Sequence, residues 1–523
     1  MAMKNWRLGI DVGGTNTDAV VIDENLKLVA GVKSPTTADV SGGIENSLRL
    51  VLQQPGVDKS RIGYAMLGTT HCTNAIVERK RLNRVGVLRI GKPATTSVCS
   101  MADWPQDLLD AMDVKSYLVE GGHEFDGREI LPLEVGEIHK IAEEMKNNQV
   151  DSIAVISVFS PVTDKHEKRA AEILREHLGE DFPVSLSCEI GSLGFLEREN
   201  ATILNAALVD VARTTASGFV GALEREQIHN AHLYLGQNDG TLMSVDYATR
   251  YPIFTIACGP TNSIRGASFL THERDAIVVD IGGTTTDVGV LVSGFPRESM
   301  VAVEIGQVRT NFRMPDLVSI GLGGGSIVRQ QADGTVTVGP DSVGYEVSQK
   351  AICFGGDVLT ATDIAVAVGN ADGVGDAAKV AGLDKALVEK AYARMCSMIE
   401  DCIDMVKTSA GDSEVILVGG GSILAPEKLA GASVTLRPAN SGVANAIGSA
   451  ISQVSGQVEK VFSLDEVDRK TAIAESREFA IKNAIAAGAN PDSVEVIDVE
   501  DVPLAYLGNA IKIRVKAVGN LKM

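Results

Sequence analysis

An acid, two glycines and alternating hydroxyls occur twice in this chain within the same apolar frame: LGIDVGGTNTDAVVID from Leu8 and IVVDIGGTTTDVGVLV from Ile277. Each copy reads as a strand, a tight glycine-dependent turn and a second strand. Taken singly, such a turn is ordinary hairpin chemistry, since Gly-Gly and Thr-Asp are common turn residues. Two copies that keep the first acid, both glycines, both threonines and the second acid argue for more. Asp280 follows Asp11 by 280 − 11 = 269 positions. That spacing is too long for a solenoid repeat and suits two copies of one domain facing each other across a cleft.

In such a cleft Gly13, Gly14, Gly282 and Gly283 let backbone N–H groups approach phosphate oxygens with no Cβ in the way. Thr15, Thr17, Thr284 and Thr286 add hydroxyl donors, and Asn16 and Thr285 complete the predicted phosphate-binding turns. Asp11 and Asp280, at strand ends beside the turns, are placed to hold a hydrated Mg²⁺ or to orient a nucleophile. Two further clusters extend the pattern. GLGGGSI, with Gly323, Gly324 and Gly325, suits a backbone-lined phosphate or nucleoside contact. VGGGSILAP, with Gly419, Gly420, Gly421 and Ser422 after an apolar strand, opens a flat slot for an adenine or ribose. Either alone is more often a structural turn. Neither matches the G-x-x-x-x-G-K-[ST] phosphate loop, and the chain start lacks a dinucleotide-binding G-x-G-x-x-G.

With 523 residues the chain exceeds one ordinary hydrophobic core, which predicts two or three domains. Its 48 basic and 68 acidic residues leave a net charge of −20, which argues against nucleic acid and anionic membranes as general partners. A chain this acidic has to bind phosphate by local geometry. Seven scattered cysteines without a C-x-x-C pair suggest neither a disulfide framework nor a zinc site. The start, MAMKNWRLGIDVGG, runs directly into a strand, and no apolar run reaches the roughly 18 residues of a membrane span. The expected setting is cytoplasmic and soluble.

Along the chain, residues 6–33 read as a three-stranded meander, and Ile44, Leu48, Val51 and Leu52 mark one face of a helix that stops at Pro55-Gly56. Alternating strand and helix patterns up to FPVSLSC predict a partly parallel α/β sheet. A long amphipathic segment from about Ser192 to Gln227 crosses to the second half, and after Val454 one helix and two or three strands are expected. The predicted division is 1–195, 196–454 and a small C-terminal α+β segment, 455–523.

The ordered set of motifs resembles the actin-like ATPase superfamily, which includes chaperones and sugar kinases: two phosphate motifs, VILVGGGSILA as an adenosine motif and SGVANAIGSAIS as a connecting helix. GTTHCTNAIVERK, ACGPTNSIRGASFL, PDLVSIGLGGGSI and PLAYLGN narrow the resemblance to the hydantoinase A/oxoprolinase family. That resemblance implies an α/β fold of duplicated actin-like, ribonuclease H-like domains flanking a nucleotide cleft. It also implies ATP and Mg²⁺, with Asp11 and Asp280 positioning the metal and the transferred phosphoryl group. The implied activity is ATP-dependent opening of a cyclic amide such as a hydantoin, 5-oxoproline or a lactam.

Within GTTHCTNA, the resemblance points to Thr69, Thr70, Thr73 and Asn74 as substrate donors, against the plainer alternative of helix capping. His71 fills an open position of that pattern, as an acid/base or a surface residue. Asp18 and Asp287 are either catalytic or locks on their hairpins, and Asn16 stands where many relatives carry an aromatic. No hydantoinase B-like domain is fused, so a separate companion subunit is expected, and self-association is left open. Two other readings stand beside this one: an ATP-using subunit of a ketone carboxylase, and a non-catalytic ATP-switched scaffold.

Overall fold

Both glycine turns join antiparallel strands in the same register. In the first, Trp6–Val12 pairs with Asn16–Ile22 so that Asp11 faces Asp18 and Val12 faces Thr17. In the second, Ala276–Ile281 pairs with Thr286–Val292 so that Asp280 faces Asp287 and Ile281 faces Thr286. Each leading strand takes a parallel neighbour on its other side, Ile62–Thr69 in one half and Ser413–Val418 in the other. The repeated sequence is therefore a repeated topology, and the fold is that of paired actin-like α/β halves. Leu8, Ile10, Val20, Val21 and Ile22 are fully buried, because these strands are covered on both faces and carry continuous apolar runs.

The computed structural model describes residues 5–37, 40–299, 303–312, 314–465, 467–504 and 509–522. The larger sheet has nine strands, in the order Glu495–Pro503, Ala510–Gly519, Val454–Ser463, Leu242–Ser244, His232–Gly236, Ile62–Thr69, Trp6–Val12, Asn16–Ile22 and Leu28–Pro35. It draws strands from each of the three expected segments, with the C-terminal ones entering where Leu242 pairs with Val454. The second sheet is built on Thr286–Val292, Ala276–Ile281, Ser413–Val418 and Ala432–Leu436, with Leu317–Ile320 on its edge. Lys115–Glu120, Val85–Lys92, Ser152–Ser157 and Val184–Leu186 form a separate, wholly parallel sheet. Of the motif PLAYLGN, residues 505–508 lie outside the described residues.

A 31-residue helix, Phe195–Arg225, runs from this small sheet to the first half. Its Glu199 accepts from the guanidinium of Arg89, and both side chains are almost wholly buried. Between the two large sheets, helices Cys258–Thr271 and Ala444–Ile451 cross at glycine contacts. A Cβ on Gly266 would run into the carbonyl of Ala444, and one on Gly448 into that of Asn262. Among the described residues no helix is long and apolar enough to cross a membrane.

Candidate functional site

The two turns meet across a cavity of about 140 Å³. Each is closed by one backbone hydrogen bond, from Gly13 to the Asn16 carbonyl (3.0 Å) and from Gly282 to the Thr285 carbonyl (2.8 Å). The N–H groups of Gly14, Thr15, Gly283 and Thr284 make no backbone hydrogen bond among the described residues. Thr15 is buried, Gly283 and Thr284 are half-buried and Gly14 is exposed, so these donors are open to a partner, and four of them around one cavity make a cradle for an anion.

Four carboxylates line the same cavity: Asp11, Asp18, Asp280 and Asp287. Asp11 is 3% exposed, and its oxygens accept from the Asn262 amide (3.1 Å) and the Asn445 amide (3.4 Å). Burial pushes its carboxyl above the usual range against those two hydrogen bonds, and the charge of Asp280 adds to the rise. Asp280 accepts from the Ser263 hydroxyl, which also lies 2.6 Å from the side-chain oxygen of Asn445 and has one hydrogen for the two. Burial raises Asp280 as well. Among the described residues neither acid makes an ion pair, so two hard oxygen donors stand together without a cation touching them. That donor set matches what Mg²⁺ takes.

Lys33 is the cation of this cavity. Its ammonium lies 2.7 Å from Asp18, and its charge pulls downward on Asp11, Asp18 and Asp280 alike. Burial nevertheless leaves Asp18 raised to about 6, and Asp287, bonded by Ser319, is raised by burial to about 6.

Of the residues singled out from the sequence, Asp11, Gly13, Gly14, Thr15, Asn16, Thr70, Asp280, Gly282, Gly283, Thr284, Thr285, Gly419 and Gly420 line this one cavity. Thr17 and Thr286 do not. Both are fully buried, with Thr17 bonded to the Thr36 hydroxyl (3.1 Å) and Thr286 donating to the Leu322 carbonyl (2.6 Å). On a strand leaving the turn, alternate residues point to opposite faces, and these two point into the protein.

Gly323, Gly324 and Gly325 support the second turn from behind. The N–H groups of Gly324 and Gly325 donate to Gly282 (3.1 Å) and Gly283 (2.7 Å), and a Cβ on Gly323 would enter the backbone of Gly283 and Thr284. Gly421 donates to the Ile281 carbonyl (2.7 Å), and Ser422 opens a short helix, its own carbonyl accepting from Arg437 (2.8 Å). Gly419 has φ +86°, and a Cβ there would strike the Asp280 carboxylate.

The GTTHCTNA element caps the strand beside Asp11. The Thr70 hydroxyl donates to the Val12 carbonyl (3.3 Å) and is within 3.4 Å of the Asn74 amide. Thr69 is buried and shares a hydrogen bond with His71. His71 is itself buried, and desolvation lowers its imidazole to about 4. Thr73 and Asn74 are half-buried on the helix His71–Glu78, outside the cavity lining.

Lys33, Asn262, Ser263 and Asn445 were not picked out by sequence reasoning. Asn262, Ser263 and Asn445 lie within ACGPTNSIRGASFL and SGVANAIGSAIS, motifs that gave no chemistry when taken alone.

Family descriptions drawn from known proteins match most of the chain. The description "Hydantoinase/oxoprolinase N-terminal region" matches residues 7–178, and "Hydantoinase/oxoprolinase" matches residues 198–373. The alpha subunit of caprolactamase from Pseudomonas jessenii is 27% identical over 394 residues, 71% of this chain and 55% of that protein. The gamma subunit of acetophenone carboxylase from Aromatoleum aromaticum is 26% identical over 393 residues, 69% of this chain and 53% of that protein. The chain thus spans about half the length of these curated relatives. The crystal structure of ATP-dependent caprolactamase from Pseudomonas jessenii superposes with a TM-score of 0.76 at 20% identity, covering 99% of this chain and 88% of that one.

Proposed function

The chain belongs to the hydantoinase/oxoprolinase family, and from that premise we propose that it is the ATP-using component of an enzyme that phosphorylates a cyclic amide on oxygen and so opens the ring to water. The observation that carries this reading is the pair Asp11 and Asp280 set between two glycine turns with unpaired N–H groups. An amide carbon resists water because nitrogen donates into the carbonyl. Transfer of the terminal phosphoryl group of ATP to the ring oxygen releases ADP and makes that carbon electrophilic. Water then adds at the carbon, the ring C–N bond breaks to give a free amine and an acyl phosphate, and a second water releases the carboxylate and inorganic phosphate.

The residues divide this work by position. Gly14, Thr15, Gly283 and Thr284 present backbone donors to phosphate oxygens, and Lys33 offsets charge on the transferred group, since positioning and electrostatics supply most phosphoryl-transfer catalysis. Asp11 and Asp280 would hold a Mg²⁺, which neutralises phosphate charge. Thr70, at the cavity edge, is placed to meet the acceptor. A companion subunit is part of the proposal, in keeping with the subunit names of the relatives.

A ketone carboxylase component is the second reading, supported by the acetophenone carboxylase match. It shares the first half of the chemistry, with an enolate or bicarbonate oxygen as acceptor. ADP release by the purified chain with Mg²⁺-ATP, measured against hydantoin, dihydrouracil, 5-oxoproline and simple lactams with and without bicarbonate, separates the two. Stimulation by a cyclic amide that Asp280→Asn abolishes supports the first reading; a response confined to bicarbonate with a ketone supports the second. Turnover that neither amide nor ketone changes would leave the switched scaffold.

A further inference from the structure

A second cavity lies apart from the one between the turns. It measures about 680 Å³, within the range of small-molecule sites. The two lie on one edge of the nine-stranded sheet. Trp6–Val12, Ile62–Thr69 and His232–Gly236 are parallel neighbours, so Asp11, Thr70 and Gln237 sit side by side at their C-terminal ends, where open α/β sheets bind ligands. Gln237 lines the larger cavity. Asn262 packs at these strand ends: its amide donates to Asp11 (3.1 Å), and a Cβ on Gly236, the neighbour of Gln237, would lie 3.4 Å from that same nitrogen.

The charged groups of the larger cavity are committed to one another. Lys516, 3% exposed, donates to Asp239 and to Glu298, each at 2.8 Å. Arg514, also 3% exposed, donates to Glu298 (2.5 Å) and Asp498 (3.3 Å). Burial alone would raise Glu298, but Lys516 and Arg514 overcome it and hold the carboxyl near 2, so the set stays ionised. Glu189 is bound by Arg250 (2.8 Å) and by the Tyr251 hydroxyl (2.7 Å).

An incoming carboxylate would have to draw Arg514 away from Glu298 and leave a buried charge unpaired. A neutral ring meets no such obstacle. Tyr247, Phe254 and Phe312 offer it aromatic faces, and the side-chain amide of Gln237 offers both a donor and an acceptor.

We propose that this cavity is the acceptor site and takes a neutral cyclic amide, excluding rings that carry a carboxylate such as 5-oxoproline. The proposal rests on the amide-activating reading above and adds the class of ring.

The test is calorimetric binding to the full chain without ATP, using a simple lactam, hydantoin and 5-oxoproline, for wild type and Tyr247→Ala. Tyr247 is 43% exposed, so its truncation leaves the core intact. The expected result is binding of the neutral rings, 5-oxoproline at least ten-fold weaker, and a roughly 3–10-fold loss of lactam affinity in Tyr247→Ala, the size of one aromatic contact. Equal binding of 5-oxoproline, no binding of any ring, or an unchanged affinity in Tyr247→Ala overturns the proposal. ADP release on the same samples keeps the two readings apart. Amide-stimulated turnover with a half-saturation that Tyr247→Ala does not move removes this cavity and leaves the amide-activating reading standing, whereas absence of both stimulation and binding removes both.

Discussion

A Cβ added to Gly283 would lie 2.7 Å from both Cγ2 and Oγ1 of Thr15, so a glycine of the second turn and a threonine of the first occupy one shared space. The cleft is closed to within a methyl group at this point. Gly283→Ala is expected to wedge the halves apart and lower ADP release by at least about ten-fold, on the scale of small misplacements at reacting centres. Thr15→Gly in the same chain should restore part of the loss. A single variant with wild-type turnover would show that closure at this contact is not needed.

Gly14 supplies the complementary case. A Cβ there meets no atom within 4 Å and its φ is not left-handed, so Gly14→Ala should leave the thermal midpoint within a degree or two of wild type. If ADP release nevertheless falls, the space beside Gly14 belongs to the ligand. If the midpoint drops instead, the reading of that space is wrong.

Asp11→Asn and Asp280→Asn should each reduce ADP release by about 10²–10³, the usual cost of removing one preorganised electrostatic group. Neither should lower the unfolding temperature. Both carboxylates are held above their ordinary range by burial, and a neutral amide relieves that. Destabilised variants with unchanged turnover would assign the two acids a structural role.

Asp287 makes a pH signature. Its folded carboxyl titrates near 6, against 3.8 for the unperturbed group, so the folded chain holds this proton more tightly than the unfolded one. The share of stability it contributes is full below about pH 4 and is lost as pH rises through 6. Unfolding temperatures of wild type should therefore fall relative to Asp287→Asn between pH 4.5 and 7, and a difference that stays flat across that window speaks against the shift.

Lys33→Met removes the cation that pairs with Asp18 and pulls downward on Asp11 and Asp280. It should lower the maximal rate of ADP release about 10²-fold, as loss of a transition-state donor does, and raise the Asp18 carboxyl further. Recovery with Lys33→Arg would mark charge as the requirement. Equal rates for wild type and Lys33→Met would reduce Lys33 to the partner of Asp18.

Much of this was readable from residue order. Asp11 and Asp280 came from the repeated turn, and the antiparallel pairing around each turn followed from two apolar runs flanking Gly-Gly. What order does not encode is facing. Gly323 to Gly325 look like Gly419 to Gly421 in sequence, yet the first cluster sits behind the turn, whereas Gly419 and Gly420 of the second line the cavity. Asn262 and Asn445 reach Asp11 from positions 251 and 434 residues away, and no local pattern announces that distance. The C-terminal strands joined the first sheet through a single Leu242 pairing, where composition alone suggested a separate segment.

The glycine crossing between helices Cys258–Thr271 and Ala444–Ile451 leaves the acids little slack. Gly448 presses on the carbonyl of Asn262, and Asn262 holds Asp11, so the spacing of the two helices is passed to that carboxylate through a single side chain. Neither Gly266 nor Gly448 lines the cavity, yet a methyl group on either would force the helices apart and be felt at the carboxylate.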